Sequence, residues 1–152
     1  MNNTQTYAGE RLVIKRTMSA PLVRVWTAFS DPAEMKLWGA PEGMRVASFD
    51  CDLRVGGAFR LVMESIDDAE KHIAKGTYRE ITQEARIAYT WTWEEDTPAE
   101  ERETFVTWDF CAVGSKTELT LTHEGLASVE SRDRHNSGWS QMFDKFERYL
   151  AG

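Results

Sequence analysis

A chain of 152 residues is long enough for a single domain whose hydrophobic core needs neither a metal ion nor a disulfide. The formal charge of -7 argues against nucleic acid or an anionic membrane as a partner, because both select for basic surfaces. Two cysteines without a CxxC pair, and an N-terminus with neither a basic start nor an apolar run, predict a cytoplasmic protein without a signal peptide or a membrane anchor.

The N-terminal part of the chain changes its periodicity twice. Residues 1–9 are predicted to be a flexible tail, and residues 10–152 a single domain. "RLVIKRTM" alternates apolar and polar residues, which predicts a strand. "SAPLVRVWTAFSD" has helical spacing, with Ser19 as the expected cap and Pro21 in the first turn. "DPAEMKLW" predicts a second short helix, capped by Asp31.

From Met44 to Glu124 the pattern is typical of strands only. Six are predicted: "MRVASFDCDL", "AFRLVMES", "KHIAKGTYREI", "RIAYTWTW", "TFVTWDFCAV" and "TELTLTHEG". The acidic stretch "EEDTPAEERE" between two of them is predicted to be a solvated loop. "SRDRHNSGWSQMFDKFERYL" then predicts a long amphipathic helix that begins near Ser131. The order β-α-α-β6-α predicts an α+β helix-grip fold, in which a curved antiparallel sheet wraps around the C-terminal helix.

Two adjacent glycines, Gly56 and Gly57, separate the second and third predicted strands. They fit either a phosphate-binding loop or a turn. Neither GxGxxG nor GxxxxGK[ST] is present, and the residues that follow form a strand pattern, whereas a phosphate loop needs a helix. We therefore expect a hairpin turn in which the glycines supply positive φ angles, tied down by Asp52 and Arg54.

Strand parity predicts a strongly aromatic inner face. Each of these residues alone is consistent with an ordinary core. So many rings between one sheet and one helix pack poorly without a void, so together they predict a pocket for an apolar or aromatic ligand. The predicted lining is Phe59, Leu61, Met63, Tyr89, Trp91, Trp108 and His123 from the strands, with Trp139 and Phe143 from the terminal helix.

Signatures of catalysis and of cofactor binding are absent from the sequence. The three histidines are far apart, and no HExxH, GxSxG or paired-cysteine motif occurs. We therefore expect no metal, no cofactor and no nucleophilic triad. His123 is the titratable side chain that parity places on the inner face, and it fits either a hydrogen-bonded structural histidine or a ligand contact. The sequence also allows an acid–base pair such as Glu64 with His123.

Several motifs in order resemble a known family: "APLVRVWTAFSDPAEMKLW", "DLRVGGAFR", "GTYREI", "YTWTW", "LTLTHEGL" and "HNSGWSQMFDKFERYL". They closely resemble homologues of the 90-kDa heat-shock-protein ATPase activator, in the START and birch-pollen-allergen-like (SRPBCC) helix-grip superfamily. The resemblance runs from about Leu12 to Leu150. It implies a hydrophobic cavity under the C-terminal helix, with these residues in or beside it: Trp38, Phe59, Trp91, His123 and Trp139. It also implies that Gly138 allows Trp139 to approach the sheet closely.

The family resemblance implies no established activity, so the sequence is consistent with three functional hypotheses. The leading hypothesis is a protein that binds a hydrophobic small molecule. The second is an enzyme of the cyclase or dehydratase kind with His123 as acid or base, because the superfamily includes polyketide cyclases. The third is a co-chaperone-like interaction module. A chaperone partner does not follow from the resemblance, because the activator carries an extra domain for which this chain has no room. The sequence does not decide whether the protein forms a homodimer.

Overall fold

The computed structural model describes residues 8–95 and 102–152. Most of the predicted tail therefore lies outside the described residues, which include only Ala8 and Gly9 of it. The middle of the acidic stretch, residues 96–101, also lies outside them. The division into a tail and one domain stays a prediction.

The secondary structure follows the predicted order β-α-α-β6-α. The first strand and two short helices are β1 (Glu10–Met18), α1 (Leu22–Ser30) and α2 (Pro32–Trp38). The other strands are β2 (Met44–Cys51), β3 (Ala58–Ser65), β4 (Lys71–Thr82), β5 (Arg86–Trp93), β6 (Thr104–Val113) and β7 (Lys116–Leu126). The chain closes with the long helix α3 (Val129–Ala151).

The seven strands form one antiparallel sheet in the order β1-β7-β6-β5-β4-β3-β2. From β2 to β7 each strand pairs with its neighbours in sequence, which is the predicted meander, and β1 returns to pair with β7. These observations confirm the α+β helix-grip prediction. Within the described residues, no helix is long and apolar enough to cross a membrane.

The helix starts confirm one predicted cap and correct two predicted boundaries. Asp31 caps α2 as predicted, because its side chain accepts a hydrogen bond from the Ala33 N–H. Ser19 does not cap α1. That helix starts later, with Pro21 as its N-cap residue and no side-chain cap. Helix α3 begins at Val129, before the predicted start, because Ser128 caps it and its first turn lies ahead of the apolar stripe.

The glycine pair closes the connection between β2 and β3, and only half of its predicted geometry is correct. Gly56 has a positive φ of +86°. Gly57 does not, and it is required for space, since a Cβ there would lie 2.0 Å from the Asp52 carbonyl oxygen. Arg54 Nε donates to Asp52 Oδ2 at 2.6 Å, which ties the connection down as expected. Gly56 and Gly57 also bond through their backbones to Tyr78, so the connection is attached to β4.

The helices cover the inner face of the sheet unevenly. Helix α3 lies mainly over β1 and β7, α1 over β6 and β7, and α2 beside β2. Among the described elements, no helix backbone runs close along β3, β4 or β5. The inner face of these three strands therefore borders a space between the sheet and α3.

Gly138 borders this space on the helix side. The resemblance implied that Gly138 allows Trp139 to approach the sheet closely, but no close contact at Gly138 itself requires a glycine. A Cβ at Gly138 would have only Pro41 within 4 Å, at 3.9 Å, so nothing presses on the helix backbone there. A glycine inside a helix costs about 1 kcal/mol relative to alanine. Gly138 keeps space open at that cost.

Alanine substitutions at Gly57 and Gly138 are predicted to change the free energy of unfolding in opposite directions. Gly57→Ala should lower the free energy of unfolding by about 1–3 kcal/mol, because the new methyl group collides with a backbone carbonyl. Gly138→Ala should raise it by about 0.5–1 kcal/mol, because its helical site has room. Urea denaturation followed by tryptophan fluorescence measures both values. Two changes of the same sign would contradict the assignment of these glycines.

Candidate functional site

A cavity of about 780 Å³ lies between the inner face of the sheet and α3. Its volume falls within the range of small-molecule sites, about 300–1,000 Å³. Most of its wall is apolar or aromatic. The lining residues are Phe29, Met35, Gly39, Pro41, Phe49, Leu53, Phe59, Leu61, Met63, Tyr78, Ile87, Tyr89, Trp91, Trp93, Arg102, Thr104, Trp108, Leu126, Ala127, Ser128, Ser131, Arg134, His135, Gly138, Trp139 and Met142.

Packed rings fill the space on the other side of the cavity. The centroids of Trp38 and Phe146 are 4.1 Å apart, and Phe29 lies 4.7 Å from Trp38. Phe29 also packs edge-on against Phe110 of β6 at 5.0 Å. These contacts join α1, α2 and the C-terminal half of α3 into an ordinary core. The cavity begins where this cluster ends.

Trp139 separates the N-terminal half of α3 from the sheet. Its ring lies 5.3 Å from Trp91 of β5 and 5.7 Å from Trp108 of β6, centroid to centroid. A side chain of this size holds the helix backbone far from the strands. The small residue Gly138 beside it leaves the gap unfilled.

Seven of the predicted lining residues surround the cavity. They are Phe59, Leu61, Met63, Tyr89, Trp91, Trp108 and Trp139. Trp38, Phe143 and His123 are fully buried and do not line it. Whether the seven contact a ligand stays a prediction.

Trp38 and Phe143 are held in the filled core for identifiable reasons. Trp38 lies at the end of α2 and donates from Nε1 to the Ala28 carbonyl at 3.2 Å, which turns its ring toward α1. Phe143 packs against Trp108 with ring centroids 5.5 Å apart. The guanidinium of Arg16 lies 5.2 Å from the Phe143 ring centroid. Both rings therefore lie in the core and pack against residues that line the cavity.

His123 is held by a chain of hydrogen bonds that crosses from α3 to the sheet. Trp139 Nε1 donates to His123 Nδ1 at 3.0 Å, and a tryptophan nitrogen can only donate. His123 therefore carries its proton on Nε2, which donates to Thr104 Oγ1 at 2.8 Å. Thr104 Oγ1 then donates to the Trp91 carbonyl at 3.1 Å. Each nitrogen and oxygen atom in this series of hydrogen bonds has a partner.

A second tryptophan–histidine pair lies nearby. In this pair the histidine, His135, is on α3, one helical turn before Trp139. Trp93 Nε1 donates to His135 Nε2 at 3.1 Å, and His135 Nδ1 donates to the Ser131 carbonyl at 2.7 Å. The centroids of the His123 and His135 rings are 5.0 Å apart. Since both δ and ε nitrogens are committed, both imidazoles are neutral in this arrangement. The two pairs tie α3 to β5 and β7.

Acid–base chemistry at His123 has no support in this geometry. Burial lowers the pKa of His123 well below its ordinary value, and a protonated His135 nearby would lower it further. Its described hydrogen-bond partners are Thr104 and Trp139, and neither is a carboxylate. Glu64, the carboxylate considered from the sequence, instead forms an ion pair with Arg45. His123 is a structural histidine.

The Tyr89 hydroxyl and the Trp91 indole N–H are two more buried polar groups among the described lining residues. Tyr89 accepts a hydrogen bond from Trp108 Nε1 at 3.0 Å, and burial raises the pKa of its phenol, so it is neutral and keeps its own proton to donate. Trp91 Nε1 is buried and has no hydrogen-bond partner among the described residues. Neither group is ionised, so both can only orient a ligand.

Sequence reasoning missed the polar part of the lining. It consists of Arg102, Thr104, Ser128, Ser131, Arg134 and His135. The signal was present for α3: positions 128, 131, 135 and 138 follow the same spacing of three and four as Trp139 and Met142, so they share the inward stripe. Among the described residues, no group of three or more His, Cys, Asp or Glu side chains could hold a metal ion.

Comparison with known proteins identifies the family. The model of the family described as activator of Hsp90 ATPase homolog 1-like protein matches residues 19–151. The chain belongs to this family. No curated protein matches the chain.

Solved structures of similar proteins share the architecture of this family member. A Chromobacterium violaceum protein is 25% identical, with a TM-score of 0.79, over 93% of this chain and 97% of its own. A Rhizobium leguminosarum protein is 26% identical, with a TM-score of 0.76, over 93% and 94%. A Silicibacter pomeroyi protein described as AHSA1 is 24% identical, with a TM-score of 0.81, over 93% and 98%.

The family resemblance placed five residues in or beside the cavity, and the structure separates them into two groups. In this activator-homologue chain, Phe59, Trp91 and Trp139 line the cavity. Trp38 and His123 lie beside it, each in contact with a lining residue, through the Phe29 ring and the Trp139 indole respectively.

The lowered pKa of His123 predicts a pH-dependent stability. The unfolded imidazole titrates near pH 6.5 and the folded one lower, so below pH 6.5 the unfolded state binds the extra proton. The contribution of His123 to the free energy of unfolding is fully present above pH 6.5 and is lost as the pH falls toward the lowered pKa. The free energy of unfolding then changes by at most about 1.4 kcal/mol per pH unit. Urea denaturation of His123→Gln should show a shallower pH dependence between pH 5 and 7 than the wild type.

His72→Gln is the matched control, since His72 lies on the surface beside Glu70 and Glu95 and its removal leaves the buried chain intact. The pH slope of this variant should stay steeper than that of His123→Gln. Equal slopes for His123→Gln and the wild type would show that His123 is not the buried neutral group described above.

Proposed function

We propose that the protein binds a small apolar or aromatic molecule in the cavity between the sheet and α3. The cavity itself, about 780 Å³ with a largely aromatic wall, carries this proposal. Protein interiors are close-packed, and voids much larger than a water molecule are rare. Rings pack tightly in the adjacent core of the same layer, so the open half is not a general looseness of the domain. A guest molecule accounts for both facts.

Two buried polar atoms supply the orienting contacts. An unpaired buried N–H costs about 1–3 kcal/mol, and Trp91 Nε1 is such a group among the described residues. A ligand acceptor beside Trp91 would remove that cost. The Tyr89 hydroxyl, held by Trp108, has a proton to donate to the same ligand. The expected ligand is therefore mainly apolar, with one or two polar atoms.

The co-chaperone-like alternative has less support. An interaction module should have a filled core and a contiguous exposed apolar patch. The core contains the cavity, and the large exposed apolar residues are single positions on different elements of the described chain. They are Val13, Val23, Leu37, Val55, Ile66, Val113 and Val129.

Binding is testable with N-phenyl-1-naphthylamine, an uncharged aromatic probe that fluoresces in apolar surroundings. The wild type should bind it saturably. Gly138→Phe should weaken its binding by about tenfold or more, a loss of about 1.4 kcal/mol, because the new ring occupies cavity space. Fluorescence titration measures both dissociation constants, and near-UV circular dichroism checks the fold.

Asn136→Phe is the matched control for this test. It adds the same ring to α3 at an exposed position that does not line the cavity, so it should bind the probe like the wild type. Absence of saturable binding to the wild type would contradict the proposed function. Equal affinities of Gly138→Phe, Asn136→Phe and wild type would show that the probe binds elsewhere.

A further inference from the structure

The polar residues of the cavity lining come from two adjoining segments. We call them the polar end: Arg102, Thr104, Ser128, Ser131, Arg134 and His135. Four come from the cap and first turns of α3, one (Arg102) from the segment just before β6, and one (Thr104) from the first residue of β6. Arg102 joins the segments, because its Nε donates to the carbonyl of Gly125, just ahead of α3. Apolar and aromatic residues dominate the rest of the wall.

The charge of the polar end is opposite to that of the chain. The sequence has 25 acidic and 18 basic residues. None of the described lining residues is an Asp or a Glu, whereas two are arginines. A ligand in this cavity therefore meets cationic side chains and no described carboxylate.

The two lining arginines also differ from most arginines of the protein in their partners. Within the described residues, eight arginines pair with a carboxylate: Arg16, Arg24, Arg45, Arg54, Arg60, Arg86, Arg132 and Arg148. Arg102 and Arg134 have no such partner there. Arg102 donates to the backbone carbonyls of Gly125 and Ala8, which hold its guanidinium without neutralising it. Within the part of the chain that the structure describes, no carboxylate neutralises either charge.

Building on the proposed function, we infer that the ligand is an amphipathic carboxylic acid. Its apolar body lies among the aromatic residues, and its carboxylate meets Arg102 and Arg134. The planar guanidinium fork matches the geometry of a carboxylate. A monoanion suits the cavity better than a phosphate dianion, because most of the wall is apolar and desolvating a second charge would be costly.

The inference is tested by displacing N-phenyl-1-naphthylamine with two molecules that differ only in their head group, decanoate and 1-decanol. At neutral pH and low salt, the dissociation constant of decanoate, measured by displacement of the probe from the wild type, should be about three- to tenfold lower than that of decanol. This difference is expected for partly exposed charge pairs. The advantage should shrink as salt is added, because ions screen exposed charges. Monodecyl phosphate is the third competitor and should bind no better than decanoate.

Arginine variants locate the source of the preference. Arg134 is exposed and lacks a partner among the described residues, so Arg134→Gln should fold normally and lower the ratio of decanoate to decanol affinity. Arg134→Glu should lower this ratio further. Arg102→Gln should act in the same direction. Arg79→Gln removes a charge from an exposed position of β4 outside the lining, and it should keep the wild-type ratio.

The outcomes separate the inference from the proposed function. If the probe binds but decanoate and decanol displace it equally, the inference is wrong and the proposed function stands. A decanoate preference that Arg134→Glu and Arg102→Gln leave unchanged would also overturn it, as would tighter binding of monodecyl phosphate. If the probe does not bind the wild type at all, the proposed function fails and the inference fails with it.

Discussion

The hydrogen bond between the Trp139 indole and His123 fixes the position of α3, and the rest of the site depends on it. The bond holds the tryptophan ring upright between helix and sheet, against Trp91 and Trp108. The ring acts as a spacer on one side, while the aromatic cluster around Phe146 closes the other. Because the backbone of α3 lies mainly over β1 and β7, a space remains between α3 and the inner face of β3 to β5. The cavity is the direct result of this spacing.

The same bond determines the chemistry of the buried histidine. Once Nδ1 accepts from Trp139, the imidazole must carry its proton on Nε2, and Thr104 accepts that proton. A protonated ring could no longer accept the hydrogen bond from Trp139 at Nδ1, which agrees with the lowered pKa of His123. A fully satisfied polar chain stabilises one arrangement of a core and leaves no group free for proton transfer. Binding is therefore better supported than catalysis.

The fold was predictable because its signals are local. β3, β5 and β6 each carry aromatic or aliphatic residues at every second position along part of the strand, and parity identified the aromatic wall, since it determines which face a residue is on. Parity does not determine which half of a sheet a helix covers, so the sequence predicted Phe143 in the cavity lining although it belongs to the filled core. The polar end was missed because serines and arginines at the start of α3 resemble a solvated helix face. The need for Gly57 arises from a backbone contact that no sequence pattern encodes.

A crystal structure of the protein with N-phenyl-1-naphthylamine bound tests the central claim most directly. The account predicts density for the naphthyl ring between Leu61 and Trp91 of the sheet and Trp139 of α3, with the Trp139–His123 hydrogen bond intact. Density for the probe only on the outer surface would contradict it. So would a structure in which α3 lies directly on β3 to β5 and no space remains.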